Sequence, residues 1–224
     1  HFSAEDTKAT PTHLAITTGE DGELFVGNVE GVLRHDGVDW RMTSLPGRSP
    51  GRSLATGADG LVYVGGYDTF GRLVRNSDGG LSYEELLTRA GLRDEQRFVG
   101  IVWETLATNT GVFFRAEHAM HFVPYEQGEA RQWPLDENVR SFFQAGGKLY
   151  ARVEGRGLCL FENGKFTLVP GGGMFAQRLG LPTVICGPGA MAQGHMPDEY
   201  VEIAQLERCE AMLAALLARC EAGF

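Results

Sequence analysis

Long hydrophobic runs are missing from this chain of 224 residues. The longest apolar stretch, Ala211 to Ala218, falls well short of the ~18 residues that a membrane-spanning helix needs, so no such span is expected. A charged-then-apolar leader is also missing. The chain begins at His1 rather than Met, however, which leaves the compartment open. Positive charge is scarce: Lys+Arg 20 stand against Asp+Glu 29 for a net charge of −9, with no basic cluster. A phosphate backbone would be repelled by such a surface, and no nucleic-acid partner is expected. Cysteine is sparse as well, with Cys159, Cys186, Cys209 and Cys220 forming no C-x-x-C pair and no zinc-type spacing. Cys209 and Cys220 fall on the apolar stripe of a helical pattern, where a thiol acts as a small hydrophobe. All four read as structural.

Glycine, by contrast, is abundant, at 31 residues with no collagen period, which points to a fold of many tight turns. The turns recur. Asp21-Gly22-Glu23-Leu24-Phe25-Val26-Gly27 returns as Asp59-Gly60-Leu61-Val62-Tyr63-Val64-Gly65, offset by 38 residues. Each copy continues through a glycine-led run, Gly31-Val32-Leu33-Arg34 or Gly71-Arg72-Leu73-Val74, to Asp36-Gly37 or Asp78-Gly79, and then to an aromatic, Trp40 or Tyr83. Two weaker copies follow. One runs through Gly111 to Arg115, Met120 to Phe122, Gly128 and Trp133, the other through Gly147 to Arg152, Gly157 to Phe161, Asn163-Gly164 and Phe166. Asp-Gly or Asn-Gly between β-forming runs predicts hairpins, because both central residues of the tight turn take positive φ. The spacing therefore predicts four antiparallel units in which Asp21-Gly22, Asp59-Gly60, Gly111 and Gly146-Gly147 occupy equivalent turns.

Units of about forty residues with three or four short strands suit a β-propeller blade. One meander cannot bury both its faces, so blades must stack around an axis. The fold class expected is mainly β, a partial β-propeller of about four blades followed by a C-terminal strand, loop and helix. The phrases DGELFVGNVEGVLRHDGVDWRMTSLP and DGLVYVGGYDTFGRL resemble the regulator-type propeller repeats in sensor regions of bacterial two-component and transcriptional regulators. This resemblance covers residues 12–171 and implies a ligand-sensing or protein-binding module and a periplasmic setting. Family rings usually carry more than four blades, so an open arc is expected, exposing a sheet face and blade edges through which copies would self-associate.

The repeats offer little catalytic chemistry. His118 and His121 lie three apart, which on a strand sends them to opposite faces and prevents a shared metal. Glu84-Glu85 reads as the polar edge of a short helical turn from Tyr83 to Thr88. Trp40, Trp103 and Trp133 either line a central funnel or pack between blades, the latter being the simpler reading given the area an indole buries.

Beyond about Pro170 the repeat stops. Pro182-Thr183-Val184-Ile185-Cys186 is an apolar strand-like run ending in Gly187-Pro188-Gly189, and a polar loop follows with His195-Met196-Pro197-Asp198-Glu199-Tyr200. Ile203, Leu206, Cys209, Leu213, Leu216, Leu217 and Cys220 then recur at helical spacing. Pro197, Asp198 and Glu199 suit the start of that helix, with acids at its positive end. The segment GLPTVICGPGAMAQGHMPDEYVEIAQLERCEAML is similar to the C-terminal end of acetylornithine deacetylase and related zinc aminoacylase-type metallopeptidases. That resemblance spans residues 174–224. It implies a metal ligand at His195, Asp198 and Glu199 as supporting residues, zinc or cobalt as cofactor, hydrolysis of N-acyl amino acids, and a cytoplasmic setting.

Such a site needs at least three protein ligands and a general base. None of the six histidines has an aspartate two positions later, and the Gly-Thr-Glu/Asp-Ala turn of that family is replaced by Gly172-Gly173-Met174-Phe175-Ala176. The expectation is therefore an unoccupied His195, no catalytic residues and no cofactor. The two regions, residues 1–171 and 172–224, read as pieces of unrelated genes that meet where their sequences look alike, a truncated or chimeric reading frame. The functional expectation is a ligand-sensing or protein-binding propeller module from a bacterial signalling regulator, its ligand or partner unknown. The alternative is the zinc-dependent amidohydrolase.

Overall fold

A computed structural model describes residues 4–92, 98–126, 128–135 and 138–175, with Arg208 and Ala211, both helical. The chain divides into two compact units, Ala4–Leu179 and His1–Ser3 with Gly180–Phe224. The first unit holds a one-turn helix, α1 (Ala4–Thr7), and sixteen strands. The first sheet consists of β1 (His13–Thr18), β2 (Leu24–Asn28), β3 (Gly31–His35) and β4 (Trp40–Thr43). The second consists of β5 (Ser53–Thr56), β6 (Val62–Gly65), β7 (Phe70–Arg75) and β8 (Leu81–Glu85). The third is β9 (Glu104–Ala107), β10 (Gly111–Arg115), β11 (Ala119–Pro124) and β12 (Arg131–Pro134). The fourth is β13 (Val139–Ala145), β14 (Lys148–Val153), β15 (Gly157–Glu162) and β16 (Lys165–Leu168). Each sheet is an antiparallel meander in chain order, as in a propeller blade.

The turn chemistry explains the meander. Gly22 and Gly60 have φ of 77° and 78°, and each closes the same loop, with Gly19 N–H on Glu23 O and Gly57 N–H on Leu61 O at 2.8 Å in both. Gly146 and Gly147 are also left-handed, at φ 55° and 73°. Gly111 departs from the expectation: it opens β10, and Thr108 N–H bonds its carbonyl at 2.9 Å, so the turn in the third sheet is Asn109-Thr110.

The sheets stack through a repeated register. Phe25, Tyr63 and Phe113 occupy the same position on the second strand of the first three sheets, and each is buried against the sheet that follows. Phe25 packs with Val62, Val64 and Leu73, and Tyr63 with Val112 and Phe114. Phe113 lies 5.5 Å from Phe142 and 6.3 Å from Phe161, ring centre to ring centre. Hydroxyls tie the first strands together: Thr17 to Thr56 at 3.0 Å and Ser53 to Thr105 at 2.8 Å. Arg115, ion-paired with Glu104, donates to Val139 O at 3.0 Å across the third interface.

In consequence β1 packs on β5, β5 on β9 and β9 on β13, while no comparable packing joins β13 to β1 among the described residues. The four sheets are an open arc, a partial propeller. The fourth sheet repeats the aromatic position as Tyr150, stacked at 5.9 Å on Phe143, which is 41% exposed. No further sheet covers that face among the described residues.

Two local expectations are corrected. Glu84 and Glu85 end strand β8, where pairing of Leu81–Glu85 with Gly71–Arg75 holds the backbone extended. The helix-type hydrogen bond begins later, from Ala90 N–H to Leu86 O at 2.8 Å. The indoles divide as well. Trp133 packs in the apolar cluster between the third and fourth sheets, Trp40 packs with Ala9, Val26 and Leu33 on the first sheet's own cluster, which holds no residue of the second sheet, and Trp103 is 40% exposed just ahead of β9.

Candidate functional site

An open cleft of about 620 Å³ lies at one end of the second sheet, between the linker that enters β5 and the linker that leads on to β9. Its walls come from three stretches far apart in sequence: Pro46 to Arg52, Gly66 to Thr69, and Ile101, with Glu85 at one side. The tight turn between β6 and β7 is its centrepiece, closed by Gly66 N–H on Thr69 O at 2.9 Å. That turn is pinned from both sides. Tyr67 N–H donates to Ser49 Oγ at 2.6 Å, while Asp68 N–H donates to Gly100 O at 2.9 Å and its Oδ1 accepts from Gly100 N–H at 2.7 Å. A bridge from Tyr67 to Ile101 and a bond from Val102 N–H to Gly66 O complete the clamp. Held this way, the Tyr67 side chain is 56% exposed.

Ser49 needs the glycine opposite it. A Cβ on Gly66 would sit 2.5 Å from Ser49 Oγ, closer than side-chain atoms approach. Left-handed backbone at non-glycine residues is uncommon and costs free energy, yet two of the cleft residues adopt it, Arg48 at φ 56° and Asp68 at φ 51°. Strain of this kind collects at recognition sites because surrounding contacts enforce a geometry the chain would not choose alone.

The charges in the cleft are unequal in status. The Asp68 carboxylate is engaged by Gly100, and Glu85 Oε1 accepts from Thr69 Oγ1 at 3.3 Å. The hydroxyls of Thr69 and Tyr83 lie 2.8 Å apart, and burial pushes the Tyr83 phenol well above its ordinary range. The Arg52 guanidinium carbon lies over the Trp103 ring, 4.8 Å from its centre, a cation–π contact. Arg48 and Arg52 have no carboxylate within ion-pair range among the described residues.

The other residues singled out in the sequence are scattered. Glu84 is spent on an ion pair with Arg72 at 2.9 Å. His118 is exposed in the turn before β11, whereas His121 is 1% exposed between the second and third sheets, 5.2 Å from the Phe70 ring. Among the described residues neither ring nitrogen of His121 has a hydrogen-bond partner, and desolvation lowers its pKa to about 4. Cys159 is fully buried in the fourth sheet, as expected of a structural thiol. His195, Asp198 and Glu199 lie outside the described residues, as do Cys186, Cys209 and Cys220. Among the described residues no cluster of three or more His, Cys, Asp or Glu side chains is arranged to hold a metal ion, and no helix is long and apolar enough to cross a membrane.

No family model and no curated protein matches the sequence. Solved structures match by shape. Virginiamycin B lyase from Staphylococcus aureus superposes with a TM-score of 0.52 at 14% identity over 70% of this chain and 56% of that one. A streptogramin B lyase gives 0.53 at 13% identity over 70% and 55%. The extracellular domain of a hybrid two-component system from B. thetaiotaomicron gives 0.53 at 17% identity over 76% of this chain and 22% of that one. The chain thus spans from about a fifth to just over half the length of these neighbours. At such identities the likeness establishes the fold, a β-propeller arc.

Proposed function

We propose that the arc is a recognition module of an extracytoplasmic signalling protein, with the cleft at the end of the second sheet as its ligand site. The carrying observation is the β6–β7 turn: it is clamped by Ser49 on one side and Gly100 on the other, and that bracing presents an exposed Tyr67 and a left-handed Asp68 to solvent. A loop so braced is pre-organised, which lowers the ordering cost of binding. The extracellular two-component domain among the structural neighbours supports the signalling setting. A thermal-shift screen of small molecules against the full chain and Tyr67→Ala tests the site. Ligands that stabilise the parent and not the variant are expected. Equal shifts in both proteins would place the site elsewhere.

The fourth sheet favours a second surface for partners. Its Phe143–Tyr150 row repeats the register that three other sheets bury, and Ile16 on β1, at the opposite end of the arc, is 68% exposed. One arc cannot bring these ends together, but two copies head to tail can, so a second copy is the occupant proposed. Sedimentation equilibrium should show a dimer that Phe143→Glu dissociates. A monomer at all concentrations would refute it.

A further inference from the structure

The lining of the cleft points to the chemistry of its ligand, an inference that rests on the cleft being the recognition site. We propose that it binds a small organic anion carrying a flat apolar body, with Arg48 and Arg52 receiving the anionic group and Tyr67 and Ile101 receiving the body.

The two carboxylates of the cleft already accept hydrogen bonds from the protein, Asp68 from Gly100 and Glu85 from Thr69. Among the described residues the guanidiniums of Arg48 and Arg52 have no acid partner. The cleft balances these two cations against Asp68 and Glu85, and because the carboxylates already accept hydrogen bonds from the protein while the guanidinium donors stay open, the donors favour an anionic group. Arg52 is also held: its backbone N–H bonds Gly65 O at 2.7 Å at the start of β5, and its guanidinium carbon sits over the Trp103 ring, 4.8 Å from the centre. Arg48 is exposed and follows Gly47 on left-handed backbone, at φ 56° and 62° respectively. A guanidinium positioned before the ligand arrives forfeits less rotamer freedom on binding. Its fork of N–H donors matches a carboxylate or phosphonate edge, giving charge-assisted hydrogen bonds about twice as strong as neutral ones.

The rest of the lining is apolar. Pro46, Pro50 and Ile101 line the cleft beside the exposed Tyr67 ring. These surfaces offer an anion no hydrogen bonds and an apolar ring a dry contact. A volume of about 620 Å³ lies within the range of small-molecule sites and exceeds what an inorganic ion would fill. Size and polarity therefore both require a body attached to the charge.

The test uses the full chain and three probes read by isothermal titration calorimetry: phenylacetate, its neutral isostere phenylacetamide, and inorganic phosphate. Phenylacetate is expected to bind, the amide to bind at least about tenfold more weakly, and the affinity to fall with added salt. Arg52→Gln and Arg48→Gln should each lower phenylacetate affinity about tenfold or more while leaving the thermal midpoint unchanged, and Arg52→Lys should recover part of it. Equal binding of acid and amide, or binding undiminished in both glutamine variants, overturns the charge assignment. If Tyr67→Ala also leaves that binding intact, the cleft reading falls with it. Phosphate binding as tightly as phenylacetate overturns the apolar body, and failure of phenylacetate to bind at millimolar concentration overturns the proposal.

Discussion

His121 makes the stability of the arc depend on pH in a calculable way. Its imidazole is 1% exposed, packed on Phe70, and among the described residues neither nitrogen has a partner. Burial without hydrogen bonds penalises the cation, so the folded pKa drops from 6.5 to about 4. Between these values the unfolded chain takes up a proton that the folded chain refuses. Stability is therefore fully present above pH 6.5, declines as pH falls toward 4, and levels off below that. At 1.36 kcal/mol per pH unit the loss amounts to about 3 kcal/mol, a large part of the ~5–15 kcal/mol typical of a domain. Carboxylates titrate in part of the same range, so the informative quantity is a difference. Urea unfolding of the parent and of His121→Leu, a replacement of similar volume, should be compared from pH 8 to pH 4.5. The leucine variant is expected to be about 1–2 kcal/mol more stable at pH 8, because two unsatisfied polar atoms are gone. Its advantage should widen by about 2–3 kcal/mol at pH 4.5. An advantage that stays constant over the whole range would show that His121 takes up its proton in the folded state as readily as in the unfolded one, and the desolvation argument would be wrong.

Three further outcomes are expected. Phe113→Ala removes the ring that joins the third and fourth sheets and should cost about 3–5 kcal/mol in denaturant unfolding, whereas Arg75→Ala, an exposed partner of Asp21 and Glu23, should cost less than about 1 kcal/mol. Gly66→Ala should leave the sheets folded yet displace Ser49 from Tyr67 N–H, which a loss of ligand-induced thermal shift in the parent's hits would report. His195→Ala should leave the metal content of the purified chain unchanged and below stoichiometric, as measured by elemental analysis, because the sequence supplies one imidazole where a catalytic zinc needs at least three ligands.

Much of the arc is written in local chemistry. The glycines of the Asp-Gly and Asn-Gly pairs, Gly22, Gly37, Gly60, Gly79 and Gly164, take positive φ where the sequence called for turns, but of their partners only Asn163 does, so the Asp-Gly turns are not the type in which both central residues are left-handed. The aromatic that precedes each second-strand exit, Phe25, Tyr63, Phe113 or Tyr150, is visible as a repeat before any sheet is assembled. The innermost strands are a different matter. His13–Thr18, Ser53–Thr56 and Glu104–Ala107 mix small and polar residues and show no strong apolar alternation. They are strands because their backbones pair antiparallel with β2, β6 and β10, and their hydroxyls then bond across the interfaces, Thr17 to Thr56 and Ser53 to Thr105, to partners distant in sequence. The same reason hid the misread Glu84-Glu85: two adjacent acids suggest a polar helical edge until pairing with β7 fixes them on a strand. His121 looks like any strand histidine, and only the stacking of the second sheet on the third removes its water. The cleft is the extreme case. Pro46–Arg52, Gly66–Thr69 and Ile101 carry no shared motif, and they meet because successive meanders start at the same end of neighbouring blades. Turn residues act on their own backbone, so the sequence alone reveals them. A binding surface built from loops of separate blades exists only once the blades have stacked.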